Sequence, residues 1–230
     1  MSVIVNTVVP EGIVVCADTR MTKRNPDRTI SYDDTVRKIM PFPNHLVVSF
    51  CGSATVTDSL TVKQFLRDLR KQVGMDAAIT TLPLQLLNAY FEAGGIDDTD
   101  FLISGLSDSG ACITYGVTTK YRTIKIMTDS GSYKPCYGGV TDVVRGIMGS
   151  DIDYEHLSLH DAADLTQTAV RATIAVSKHC KEQIVGGECN TYVINASLHM
   201  SGWLQPDGEV RSDIAVEKLM GSDSLTAFML

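Results

Sequence analysis

The chain has 230 residues, 44% of them apolar, and a formal net charge of −7. That is enough apolar residue for one sizeable core. The acidic balance, with no Lys/Arg cluster, argues against a nucleic-acid partner, and no run reaches the 18 or so apolar residues a membrane span needs. No charged region followed by an apolar stretch opens the chain, so no signal peptide is expected and the expected location is cytoplasmic.

Residues 3–9 are dense in β-branched side chains, Pro10-Glu11-Gly12 supplies turn chemistry, and residues 13–17 form a second β run. Together they predict a hairpin. Residues 22–34, with Asn25-Pro26-Asp27 inside, read as a loop. Residues 36–40 and 45–50 read as the next two strands. The period then changes: Val62, Leu66, Leu69 and Val73 share one helical face. A second helix is expected over residues 82–93, with Pro83 in its first turn and Gly94-Gly95 as its stop. Residues 101–107 and 111–117 flank Asp108-Ser109-Gly110, a hairpin signal, and residues 121–128 add a third strand. A short helix follows over 140–148. Ser158 and Asp161 resemble a capping box that opens a helix to about residue 181, with Ala162, Leu165, Ala169, Ala172 and Val176 as its apolar face. Residues 191–196 read as a late strand, and the tail from about 197 carries no clear pattern. This order argues an α+β fold, with two antiparallel sheets face to face and helices outside, in a single domain spanning 1–230.

The six cysteines stand singly, often inside apolar runs. They read as buried free thiols in a reducing compartment rather than disulfides or a zinc site. The five histidines form no HExxH pattern, so neither a metal nor a cofactor is expected. A Ser-His-Asp triad lacks its GxSxG elbow.

The chain starts Met1-Ser2-Val3. Serine is small enough for an aminopeptidase to remove Met1. A freed Ser2 then carries nucleophile and base on one residue. Its hydroxyl attacks a carbonyl while its α-amine, titrating near ~7.7–8.0, accepts the hydroxyl proton.

GIVVCADTRMT, from Gly12 to Thr22, resembles the second strand of proteasome β-subunits, where an apolar run ends in Ala-Asp-Ser/Thr-Arg. Asp18 lies sixteen residues after Ser2, as the matching Asp lies after the nucleophile in that family. TVRKIMPFPNHLVVSFCGSAT resembles the family's Lys-Ile strand and following Gly turn, and Lys38 precedes Gly52 by the family's fourteen residues. CYGGVTDVVRGIM and LSLHDAADLTQTAVRATI resemble the later Gly segment and the helices around it. GGECNTYVI and the Met-only leader are most similar to the bacterial branch called Anbu or to the proteasome-like HslV.

The resemblance implies an N-terminal-nucleophile hydrolase with the four-layer αββα sandwich, a threonine-type peptidase with Ser in place of Thr. It implies Ser2 as nucleophile, Lys38 as a charged neighbour of its hydroxyl, Asp18 as the partner holding Lys38, and the Gly52 amide facing the oxyanion. The residues by themselves leave an ordinary ion pair and a plain turn glycine open. The family's side-chain pocket maps onto Met21, Val36, Met40, Phe50 and Ala54, with Thr22 beside them. Those apolar side chains imply cleavage after hydrophobic residues, though they would serve equally as core. Two departures stand out. Gly139 occupies the position where the family has a Ser near the nucleophile, with Thr141 as a nearby substitute. The family's Asp-x-x-Ser-Gly motif is replaced by a stretch containing Ser177, Cys180 and Lys181. Implied partners are a peptide or unfolded-protein substrate, further copies in rings, and an ATP-dependent unfoldase. Two alternatives remain: a catalytically silent structural subunit, and an amidohydrolase acting on small amides.

Overall fold

The computed structural model describes residues 2–24, 27–96, 98–213 and 227–230. It opens with the expected hairpin, β1 (Val3–Val9) and β2 (Gly12–Asp18). Every residue of both strands is buried. A strand covered on both faces has no polar side to alternate with, which is why these strands read as continuous Val/Ile runs.

β3 (Met21–Arg24) and β4 (Ile30–Asp33) pair as a ribbon where the sequence predicts a loop. Most of β4 is exposed, so no apolar period marks it. Asn25 and Pro26 lie outside the described residues. Next come β5 (Ile39–Phe42), β6 (Leu46–Gly52), and the short β7 (Thr55–Thr57) and β8 (Leu60–Thr61). β5 starts three residues later than the sequence suggests. Helix α1 (Val62–Val73) begins at Thr61, whose hydroxyl accepts the Gln64 N–H at 3.1 Å, and α2 (Leu82–Glu92) has Pro83 in its first turn. The meander β9 (Thr99–Leu106), β10 (Cys112–Thr118) and β11 (Thr123–Thr128) follows.

The sequence does not predict β12 (Lys134–Gly139), because Pro135 and Gly138-Gly139 argue against a strand. β12 is tolerated because it is the edge of its sheet. Helix α3 (Asp142–Ile147) leads to α4 (Leu159–Ser177). Ser158 caps α4, accepting the Asp161 N–H at 3.1 Å. The helix stops at Ser177, short of residue 181, and its buried face is turned from the one predicted. Val176 is 49% exposed, whereas Thr166, Val170, Thr173 and Ile174 are buried. The threonines hide this face from a hydrophobicity pattern. Their hydroxyls donate to the carbonyls of Ala162 (2.6 Å) and Ala169 (2.8 Å), so they are buried without unpaired donors. Strands β13 (Cys189–Asn195), β14 (Met200–Leu204), β15 (Glu209–Arg211) and β16 (Ala227–Met229) complete the described chain.

Among the described residues the strands pair antiparallel into two main sheets, in the orders β12-β1-β2-β13-β14-β15-β16 and β11-β10-β9-β6-β5. Ile4, Val8, Ile13 and Val15 of the first sheet share a core with Ile39, Val47 and Leu102 of the second. A buried polar chain crosses the same interface. Asn6 donates to Ser104 at 2.8 Å and accepts from Ser49 at 3.2 Å, so the buried amide keeps its partners. Val3, Val5 and Val14 pack with α3 and α4, while Phe42, Val48 and Phe50 pack with α1 and α2.

Candidate active site

Four chain segments converge where β1 begins and β2, β6 end. Ser2 is 5% exposed, and its carbonyl accepts the Val140 N–H at 2.8 Å, just past β12. The next residue, Val3, donates its N–H to Asp18 Oδ1 at 3.0 Å. Ser2 is thereby tied to both neighbouring strands. Met1 lies outside the described residues.

Asp18 is fully buried at the end of β2. Its Oδ1 also accepts Lys38 Nζ at 2.6 Å, and its Oδ2 accepts the N–H groups of Gly186 (3.1 Å) and Arg20 (3.3 Å). A buried carboxylate is costly unless both oxygens are occupied, and here both are. Lys38, just before β5, is 3% exposed and also donates to the Arg20 carbonyl at 2.6 Å. Burial lowers its pKa below the ordinary lysine value, and the Asp18 charge and hydrogen bond oppose that fall. The outcome is a desolvated cation with one carboxylate partner within hydrogen-bond reach.

Gly52 ends β6 with φ at +96°. A side chain there would overlap the Asp98 carbonyl, which also accepts the Ser53 N–H at 2.9 Å. Only glycine lets the chain turn this close to its neighbour.

A cavity of about 590 Å³ opens over these groups. Ser2, Lys38 and Gly52 line it, together with Met21, Thr22, Val36, Phe50 and Ala54. Asp18 sits behind Lys38 rather than on the wall. Met40 is not on the wall either: it packs into the core against α1 and α2. Its strand faces the helix layer at that position, and sequence alone does not distinguish an apolar pocket residue from an apolar core residue. The wall also carries Arg20, Lys23 and Asp58, so it is more polar than the sequence mapping suggests.

Solved structures of Anbu proteins match most of the chain. Anbu (ancestral beta-subunit) from Yersinia bercovieri superposes with a TM-score of 0.67 at 13% identity, over 95% of this chain and 91% of that one. The chain has the fold of the Anbu proteins. Anbu from Hyphomicrobium sp. strain MC1 gives a TM-score of 0.67 at 15% identity, over 95% and 92% of the two chains, and its Gly-1 mutant gives 0.67 at 14%, over 96% and 92%. No protein-family model and no curated protein sequence matches the chain.

Within this Anbu-like fold part of the support around Asp18 comes from residues 182–188, to which the sequence reading gives no role at the site although it quotes Gly186 to Glu188. Arg20 holds this segment. Its N–H donates to the Gly186 carbonyl and its guanidinium to the Gln183 carbonyl, both at 3.1 Å, while Asp34 grips the guanidinium at 2.6 and 2.7 Å. Thr19 adds a further tie, accepting the Glu188 N–H at 2.8 Å. Ser177 is buried and accepts the Val185 N–H at 3.2 Å, one residue from the Gly186 amide that reaches Asp18. Thr141 precedes α3 and Cys180 is exposed in the turn after α4; neither lines the cavity. Gly139 has φ at +83°, and a side chain there would overlap the Ser2 carbonyl. The position where the family has a Ser therefore has no room for one.

Proposed function

We propose that the chain is a proteasome-like peptidase in which Ser2, freed by removal of Met1, is the nucleophile. One observation carries the reading: Ser2, the Lys38 ammonium and the Gly52 turn line a single cavity, with Asp18 buried behind Lys38. The Ser2 hydroxyl attacks the scissile carbonyl and its α-amine takes the proton. Lys38 stabilises negative charge at the hydroxyl, and Asp18 keeps Lys38 in place and charged. The Gly52 amide is the oxyanion donor.

The stacking of helices, sheet, sheet and helices around three shared cores supports the four-layer αββα sandwich in one domain. A peptide substrate is favoured over a small amide because, among the described residues, β3 pairs with β4 along one edge only, and its residues Met21–Lys23 line the cavity together with residues 52–55. An extended peptide can add between these walls as a strand. Met21, Val36, Phe50 and Ala54 favour a hydrophobic side chain in the pocket. The likeness to Anbu, an ancestral beta-subunit, and the exposed Leu84 and Val176 on α2 and α4 support self-association, in this reading into rings. An ATP-dependent unfoldase would feed such an enclosed chamber. Among the described residues no helix is long and apolar enough to cross a membrane; the proposed location is cytoplasmic.

Intact-mass measurement of purified protein tests the first step: loss of one Met supports the enzyme, and retained Met1 supports the silent subunit. A fluorogenic-peptide assay on wild type and Ser2→Ala tests the second, and equal rates would eliminate Ser2 as nucleophile.

A further inference from the structure

A second reactive arrangement lies on the α4 side of the same sheet. Cys16 on β2 faces Thr191 directly across on β13, and its thiol is hydrogen-bonded to the Thr191 hydroxyl at 3.3 Å. Cys189 stands two residues before Thr191 on the same strand, so it shares that face. It is therefore diagonal to Cys16 across the strand pair. Cys16 is fully buried, whereas Cys189 is partly exposed and opens onto a cleft of about 440 Å³. Arg171 and Lys178 line that cleft with it. The neighbouring Cys16 thiol lowers the Cys189 pKa below the ordinary thiol value, with help from Thr191 and Arg171 and against the effect of burial. Burial raises that of Cys16. Accessible thiolate character beside a second thiol is the pattern of a redox-responsive cysteine.

We propose that Cys189 is a peroxide-reactive thiol and Cys16 its resolving partner, the two closing a reversible disulfide that loosens the support of Asp18. The Cys189 thiolate attacks hydrogen peroxide, forming an S–O bond as the O–O bond breaks and hydroxide leaves. The Cys16 thiol then attacks the sulfenic sulfur and expels water. Two thiols are oxidised and one peroxide is reduced to two waters. Diagonal neighbours in a sheet stand roughly 7–8 Å apart, wider than a relaxed disulfide allows. Closure must therefore draw Cys189 sideways. Cys189 is the first residue of β13, preceded by a loop, so this end of the strand can shift. It is also the register partner of Asp18, and Gly186 and Glu188 just before it donate to Asp18 and Thr19. Moving Cys189 toward Cys16 pulls on those bonds. A disulfide closed under such strain is readily reduced.

The test uses full-length Cys180→Ser protein, which removes the exposed thiol. Hydrogen peroxide at pH 7 is expected to cost two free thiols, and peptide mapping to join Cys16 to Cys189, both reversed by dithiothreitol. Adding Cys16→Ala should halt the reaction at a trappable sulfenic acid on Cys189, and adding Cys189→Ser should abolish both products. Oxidation of Cys189 straight to sulfinic acid without the cross-link, or a cross-link between other thiols, overturns the proposal. These readouts are masses, so they stand apart from whether Ser2 hydrolyses peptides. The coupling to Asp18 is read separately: oxidised protein should melt lower than reduced protein, and an unchanged melting temperature would refute it.

Discussion

Asp18→Asn keeps the side chain's shape and removes its charge, so it isolates what the carboxylate does. Oδ1 accepts from Val3 and Lys38, and Oδ2 accepts from Arg20 and Gly186. An amide can accept only on its oxygen. In one orientation its NH₂ faces the N–H groups of Arg20 and Gly186; flipped, it faces Val3 and Lys38. The Arg20 N–H keeps the Gly186 carbonyl and Lys38 keeps the Arg20 carbonyl, so one orientation strands the Gly186 N–H and the other the Val3 N–H, at roughly 1–3 kcal/mol, and the charge-assisted bond that Lys38 loses with the carboxylate adds roughly 1.5–3 kcal/mol. A central loss of about 4 kcal/mol, at about 2–4 °C per kcal/mol for a domain this size, lowers the melting temperature by roughly 8–16 °C. Lys38 also loses the charge that opposes its desolvation, so its pKa falls further and less of it is cationic at neutral pH. Peptidase activity should therefore drop by about 10²-fold or more in the protein that remains folded. Thermal unfolding followed by circular dichroism and a fluorogenic-peptide assay below the lowered transition measure the two effects. A melting temperature within a few degrees of wild type would mean that Asp18 does not satisfy these four donors.

Lys38→Ala leaves Asp18 with three backbone donors but no counter-charge. Stability should fall by about 3 kcal/mol, the low end for a broken buried pair, while turnover falls by orders of magnitude and assembly persists; unchanged turnover would count against the mapped site. Gly139→Ser forces a side chain onto the Ser2 carbonyl at φ +83°. It should cost about 1–3 kcal/mol and most of the activity, read by urea unfolding and peptide hydrolysis, and wild-type values for both would refute the close approach. Because burial holds Lys38 below its unfolded value of 10.5, the unfolded chain binds more protons between the two pKa values. The penalty of the buried cation is thus fully present below the folded pKa and is relieved as pH rises toward 10.5. Activity that needs the cation should decline across that same window, so a pH profile of turnover should show its alkaline limb below pH 10.5; a limb at or above that value would contradict it.

What the sequence made legible follows from where each element lies. β1 and β2 announce themselves because both faces are apolar, and α1 because its stripe has a clean period. The β3–β4 ribbon does not, since water rather than a core sets its composition. β12 hides behind Pro135 and two glycines that only a sheet edge accepts. In α4 the buried Thr166 and Thr173 read as polar surface, and the predicted face is displaced accordingly. At the cavity, motif spacing brought Ser2, Lys38 and Gly52 to one place but misplaced Met40, since apolar side chains carry no label for pocket or core.

The support of Asp18 escaped for a different reason. Three of its four donors are main-chain N–H groups, of Val3, Arg20 and Gly186. Any non-proline residue can supply such a donor, so no side-chain signature marks the task. What the sequence does carry are the consequences of bringing backbone so close. Gly139 stands where the chain passes the Ser2 carbonyl, and Arg20 is fixed by Asp34 where it must hold residues 182–188 in reach. The missing Ser and Asp of the proteasome pattern are therefore not gaps in a copied site. They mark a place where main-chain donors and close backbone packing hold the carboxylate and the first strand, and a replacement judged by side-chain chemistry alone would be judged by the wrong atoms.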